Sequence, residues 1–194
     1  PGFAGRLPAN PAPSVLPASA WRFTSASEVE ITRPAGFDAG AIYQFRYEAR
    51  DPKPFGLGMA AVRDVVTFLK GAQPDARGQA HPLADIRPNV TVAIGISQSG
   101  RFLRDFIWQG FNAAPGAGRV FDGALPTIAG SRKTFTNVRW AQPGRYSRQH
   151  EDHLFYGDQF PFTYGVTTDP VSGRSDGIFA RCITSNTCPK TTHL

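Results

Sequence analysis

The stretch that most restricts the fold is Asn89-Val90-Thr91-Val92-Ala93-Ile94-Gly95-Ile96, with Ser97-Gln98-Ser99-Gly100 directly behind it. A short, nearly continuous β-branched run is the pattern of a strand buried on both faces, as in the middle of a parallel sheet. In residues 101–110, Phe102, Leu103, Phe106 and Ile107 repeat at helical spacing on one side, while Arg101, Arg104 and Asp105 fall elsewhere. The chain therefore turns from strand to helix over residues 97–100.

The flanking residues fit an alternation of strands and helices. Gly58, Val62, Val65, Val66 and Leu69 predict an amphipathic helix with Arg63, Asp64 and Lys70 on its other side, stopped by Gly71. Alternation at Ile42, Phe45 and Tyr47 predicts a strand over residues 41–49, a similar pattern marks residues 28–32, and residues 119–128 read as a further short strand. Strand, helix, strand at this spacing describes βαβ units and an α/β sheet.

Three regions follow. Residues 1–27, with Pro1, Pro8, Pro11, Pro13 and Pro17, read as an extended Pro/Ala-rich segment. Residues 28–128 carry the α/β core. Residues 129–194 lose regularity, with Phe135, Trp140, Tyr146, Phe155, Tyr156, Phe160, Phe162 and Tyr164 set among Gly and Pro. A loop region of that length is expected to be a lid-like or pocket insertion. With 20 glycines and 17 prolines in 194 residues, loops make up much of the chain. Pro1 opens neither a natural start nor a signal peptide, so the chain is expected to begin inside a longer one.

A net charge of +6 and a pI near 9.8 raise the question of nucleic acid. The excess is local: Arg132, Lys133, Arg139, Arg145 and Arg148 stand without an acid among them, and no zinc-finger, RNA-recognition or basic-zipper pattern accompanies them. A solvated or internally paired loop accounts for them, and the expected partner is a small molecule rather than a nucleic acid. No run of about 18 apolar residues predicts a membrane span. Cys182 and Cys188 match no zinc spacing and are near enough in sequence for a small disulfide. Compartment and oligomeric state stay open.

Chemistry concentrates at Gly95-Ile96-Ser97-Gln98-Ser99-Gly100. A sharp strand-to-helix turn needs small residues on either side of its central serine, because neighbouring backbones meet there. Gly95 and Ser99 fill those places around Ser97, supported by Gly100, although Ser99 stands where a second glycine is usual. Ser97 would then present its Oγ above the carboxyl edge of the sheet, with the Gln98 N–H aimed at an oxyanion. Two other readings remain: Ser99 as the nucleophile, disfavoured by the bulk of Arg101, and both serines as helix caps.

A base for that serine is not evident. His150 and His153 belong to the aromatic region and suit a pocket wall better than a metal, since no third ligand accompanies them. His193 lies beside the end of the chain and His81 reads as a loop residue. Gly56-Leu57-Gly58-Met59-Ala60-Ala61 imitates a dinucleotide fingerprint, but Pro52 and Pro54 part it from the preceding strand and no suitable acid follows. Close helix packing is expected to explain its glycines, and no cofactor or metal is expected.

Taken together, Tyr47 to Pro52 (Tyr-Glu-Ala-Arg-Asp-Pro), Gly-Leu-Gly-Met-Ala-Ala-Val-Arg-Asp from Gly56, Gly-Ile-Ser-Gln-Ser-Gly-Arg-Phe-Leu-Arg from Gly95, Arg-Val-Phe-Asp-Gly from Arg119 and Gln-His-Glu-Asp-His-Leu-Phe from Gln149 resemble a group of bacterial α/β-hydrolase-domain proteins. The likeness runs from about Ala26 onward. It implies a partial α/β-hydrolase fold: a mostly parallel sheet, a nucleophile elbow at Ser97 and a long irregular insertion. It also implies an esterase-like acyl-enzyme mechanism, with the acid and histidine of the triad beyond Leu194 and this portion inactive alone. A non-catalytic binding module on the same scaffold is the alternative.

Overall fold

The computed structural model describes residues 14–33, 43, 45, 56–116, 118–134 and 158–193. It divides into two units, Pro1–Glu48 and Ala49–Leu194.

In the first unit a 3-10 turn, Ala18–Ala20, leads into β1 (Trp21–Phe23), which pairs antiparallel with β2 (Val29–Ile31). Arg22 donates to Glu30 across the pair at 2.6 Å, and the rings of Trp21, Phe23 and Phe45 meet edge to face at 5.9 to 6.0 Å. The segment expected to be merely extended thus ends in a hairpin, because cross-strand partners at Val29 and Ile31 lie close enough in sequence to pair with it. The strand expected over residues 41–49 lies outside the described residues, except Tyr43 and Phe45, which have no regular structure.

The second unit holds α1 (Gly58–Lys70), β3 (Val92–Ile96), α2 (Gln98–Trp108), the short hairpin of β4 (Ala113–Ala114) with β5 (Gly118–Arg119), and β6 (Gly123–Thr127). After them come the hairpin of β7 (Thr167–Thr168) with β8 (Ser175–Asp176), then α3 (Ala180–Thr184) and β9 (Lys190–Thr191). β3, β6 and β9 form one parallel sheet with β6 in the middle. No described helix is long and apolar enough to cross a membrane.

Helix α2 covers one face of the sheet. Ala93 and Gly95 of β3 and Ala124 and Pro126 of β6 point to it, and their small side chains let the helix close on the strands. Five consecutive residues of α2, Leu103 to Ile107, are buried. At 3.6 residues per turn that run passes right round the axis. Arg104 and Asp105, which fall off the apolar stripe read in the sequence, are therefore enclosed as well. Phe106 packs with Met59 and Val120, while Ile107 packs with Ala124, Ile178 and Cys182.

The opposite face is open. Val92, Ile94 and Ile96 are 52 %, 70 % and 62 % exposed. Burial on both faces, expected from the β-branched run, holds for one face only; the run reads the same whether or not a second layer covers it.

Met59, almost fully buried, anchors α1, with Val62 and Val66 beside the same cluster; Val65 faces solvent. Lys70, expected on the polar side, instead donates to the carbonyls of Arg119 and Val120 at 2.9 and 3.3 Å and lies 3.4 Å from Asp122 Oδ2. Asp122 also accepts from Thr91 N–H at 3.0 Å. Burial alone would push the Asp122 carboxyl up, but the Thr91 N–H and the Lys70 ammonium outweigh it and hold the group below 3.8.

Residues 158–193, within the region expected to form an insertion, supply core. Ile178 and Cys182 are wholly buried, and a disulfide between Cys182 and Cys188 ties α3 to the approach of β9. Asn112, fully buried, donates to the carbonyls of Phe121 and Thr187 and accepts from Phe121 N–H, joining that region to the β4–β5 hairpin.

Candidate active site

Ser97 follows β3 without an intervening residue and precedes the first residue of α2. Its backbone is at φ 55° and ψ −114°, outside the regions an L-residue ordinarily occupies. Such a conformation costs about 1–3 kcal/mol and persists only where the surroundings enforce it. Here they do. Ser97 N–H donates to Thr127 O at 2.9 Å, and Arg101 N–H returns to Ser97 O at 3.0 Å, so both ends of the turn are fastened to β6 and to α2.

The turn is tight enough to dictate composition. A Cβ on Gly95 would stand 2.4 Å from Ser99 O and 2.8 Å from Gly100 N; one on Gly100 would stand 2.9 Å from both Gly95 O and Thr127 O. Backbone meets backbone at both places, so only glycine fits. Ser99 keeps an exposed side chain; it is its carbonyl that lies against Gly95.

Ser97 is exposed and makes no side-chain cap hydrogen bond. The capping reading is thereby set aside, and its hydroxyl stands at the carboxyl edge of a parallel sheet. Gln98 is the first residue of α2, where N–H groups have no intrahelical acceptor and the helix dipole is positive. The arrangement can offer an oxygen nucleophile and a backbone donor side by side.

Beside it lies an open depression of about 250 Å³ lined by Gln98, Ser99, Phe102 and Thr134. Thr134 is held there from beneath: its N–H and hydroxyl both donate to the buried Asp105 Oδ2, at 2.6 and 2.7 Å. Lys133, also buried, donates to Pro161 O at 3.2 Å, stands 4.0 Å from Asp105 and lies 4.3 Å above the Trp108 ring. Burial lowers the ammonium below the usual lysine range against the opposing pull of Asp105. One member of the basic patch is thus internally paired; Arg139, Arg145 and Arg148 lie outside the described residues.

His150 and His153 also lie outside the described residues. His193 follows β9 at the carboxyl edge, with Nδ1 2.9 Å from the Tyr164 hydroxyl; burial and the Arg104 charge hold its imidazole below the usual value. His81 is a buried loop residue whose Nδ1 accepts from Leu83 N–H and whose Nε2 donates to Phe68 O at 2.8 Å. At the imitation dinucleotide fingerprint, a Cβ on Gly58 would meet nothing within 4 Å, so close packing does not explain that glycine.

Two residues near Ser97 carry no sequence signal. Thr134 is recognisable only through Asp105, which lies 29 positions before it. Ile128 sits at φ 50°, against every preference of a β-branched residue.

A sequence model described as the alpha/beta hydrolase domain matches residues 16–191. Searches of curated proteins and of solved structures returned no match. The family match spans nearly the whole chain and includes the strand, the strained turn and the helix, and on it the chain belongs to the α/β-hydrolase domain family.

Proposed function

We propose that the chain is the nucleophile-bearing part of a serine hydrolase that cleaves an ester or a related acyl bond through an acyl-enzyme on Ser97. The observation that carries this is the strained Ser97 backbone joined to an exposed hydroxyl that caps nothing. Helix caps gain their stabilisation from the bond this serine does not make, so a structural role leaves the strain without a purpose.

In the proposed reaction Ser97 Oγ attacks the substrate carbonyl, and negative charge gathers on its oxygen. The Gln98 N–H donates to that oxygen; loss of one such donor typically costs about 10² to 10³ in rate. The bond to the alcohol oxygen then breaks, the serine proton passes through a base to the departing alkoxide, and water later hydrolyses the acyl-enzyme. No described residue is assigned as that base or as its acidic partner.

A fluorophosphonate probe added to the intact protein tests the reading. The expected result is covalent label on Ser97, absent from Ser97→Ala, with esterase activity reduced about 10⁴-fold or more in that variant. No label, together with unchanged turnover in Ser97→Ala, would remove the reading; no label and no turnover in wild type would turn it to a non-catalytic binding module on this scaffold.

A further inference from the structure

The last paired residues of β3 and β6 are Ile96 and Thr127. One step further, the two chains leave the sheet side by side, as Ser97 and Ile128, and both do so at positive φ, 55° and 50°. Two adjacent strands therefore end in strained non-glycine residues at the same level of the carboxyl edge. Gly130 takes φ 55° two residues later without that difficulty, so a glycine at position 128 would satisfy the same turn.

An isoleucine is the least suited residue for this conformation, since two heavy atoms on Cβ crowd the backbone. Packing does not offset the strain, because Ile128 is 71 % exposed. The chain reverses its burial at this point: Ala129, next in sequence, is enclosed, and its Cβ lies 3.1 Å from where a Gly100 Cβ would stand. The turn thus seats Ala129 under the elbow and turns the Ile128 side chain out to solvent next to the serine.

Other exposed apolar residues of this unit, such as Val90 and Ile94, lie on ordinary backbone and require no account beyond their position. Ile128 combines exposure, strain and adjacency to Ser97. Strain retained in an apolar residue at such a place is a sign of use rather than of folding.

We infer that Ile128 is a specificity-determining residue whose side chain packs on the apolar acyl or alkyl portion of the substrate during attack by Ser97. The inference rests on the hydrolase reading of Ser97 and adds to it a substrate class: esters with an apolar group next to the scissile bond.

The test compares wild type, Ile128→Gly and Ile128→Asn in the intact protein. Glycine relieves the strain and asparagine tolerates the same backbone region. Each is measured for melting temperature and for kcat/KM on p-nitrophenyl acetate and octanoate. Expected are melting temperatures raised by about 2 °C and an octanoate-to-acetate preference reduced about tenfold, the scale of a lost apolar contact in a binding pocket. Lowered melting temperatures in both variants would show the side chain packed against protein and overturn the inference. So would an unchanged preference in a protein whose Ser97 accepts the fluorophosphonate label. A wild type that takes no label removes the hydrolase reading and this inference with it.

Discussion

The two faces of β3 are built from the same five residues and obey different rules. Toward α2 stand Ala93 and Gly95, with backbone atoms of Ser99 and Gly100 so near that no Cβ fits at position 95. On the other side stand Val92, Ile94 and Ile96, each more than half exposed. The helix side is specified by shape and tolerates nothing larger; the open side carries most of the apolar surface and is held in place by nothing described. The strand's conformation is thus fixed from one face and from its ends, and the site at Ser97 inherits its precision from the face with the smaller side chains.

The sharpest way to break that contrast is Gly95→Ala. The added carbon would overlap a carbonyl and an amide of the helix's first turn, and neither is the end of a flexible side chain. We expect destabilisation of at least about 3 kcal/mol and loss of the Ser97 geometry. Chemical denaturation measures the first and fluorophosphonate labelling of the intact protein the second. Unaltered stability would mean that the strand and α2 are not in contact as described.

Next in size is Ile107→Ala. This side chain of α2 is 2 % exposed and reaches Ala124, Ile178 and Cys182. Truncating a fully buried isoleucine costs about 2–5 kcal/mol, measurable as a lower denaturation midpoint with an unchanged slope. A loss under 1 kcal/mol would show that the helix side is no better packed than the open side, and the contrast would vanish.

The elements that carry the site were legible in sequence to the extent that their physics is local. The β-branched run, the Ser97 junction and the helix behind it depend on neighbours within a few positions and could be read directly, although the helix, read over residues 101–110, begins at Gln98 and ends at Trp108. Arg104 and Asp105 fall off the apolar stripe in sequence and are nevertheless enclosed, and Lys133 takes the internally paired alternative of the two read for its loop; charge predicts exposure until a partner distant in sequence is known. Thr134 and Pro161 are such partners. β9, with only Lys190 and Thr191, is too short to show a period; it exists because β6 offers an edge. Position 128 was illegible for the opposite reason. There the residue contradicts its conformation, and no pattern rule finds a residue by its unsuitability.

A third and smaller effect concerns the ends of the strand. Asp122 links Thr91, just before β3, to Lys70 of α1. The Thr91 N–H and the Lys70 ammonium outweigh burial and hold its carboxyl below the ordinary carboxylate value, so the native protein holds that proton less firmly than the unfolded chain. The stabilisation is therefore complete above the unfolded value and drains away as pH falls through the folded one. As pH falls through and below the ordinary carboxylate range, wild type should lose stability more steeply than Asp122→Asn, as followed by thermal unfolding. Parallel curves would show that the strand's lower end is not secured by this carboxylate.

The smallest expected effect is the most informative about the open face. Ile94→Thr keeps the β-branch and the strand propensity while exchanging an ethyl group for a hydroxyl. At Ile107 an apolar side chain is enclosed; at Ile94 it is 70 % exposed. Where water already reaches the side chain, the exchange removes little burial and leaves no polar group unsatisfied, so stability should change by no more than about 0.5 kcal/mol. The same residue type then yields effects differing several-fold on either side of the sheet. If Ile94→Thr instead costs more than 1 kcal/mol by chemical denaturation of the intact protein, a layer covers Ile94 there. β3 would then be the doubly buried strand that its β-branched run announces.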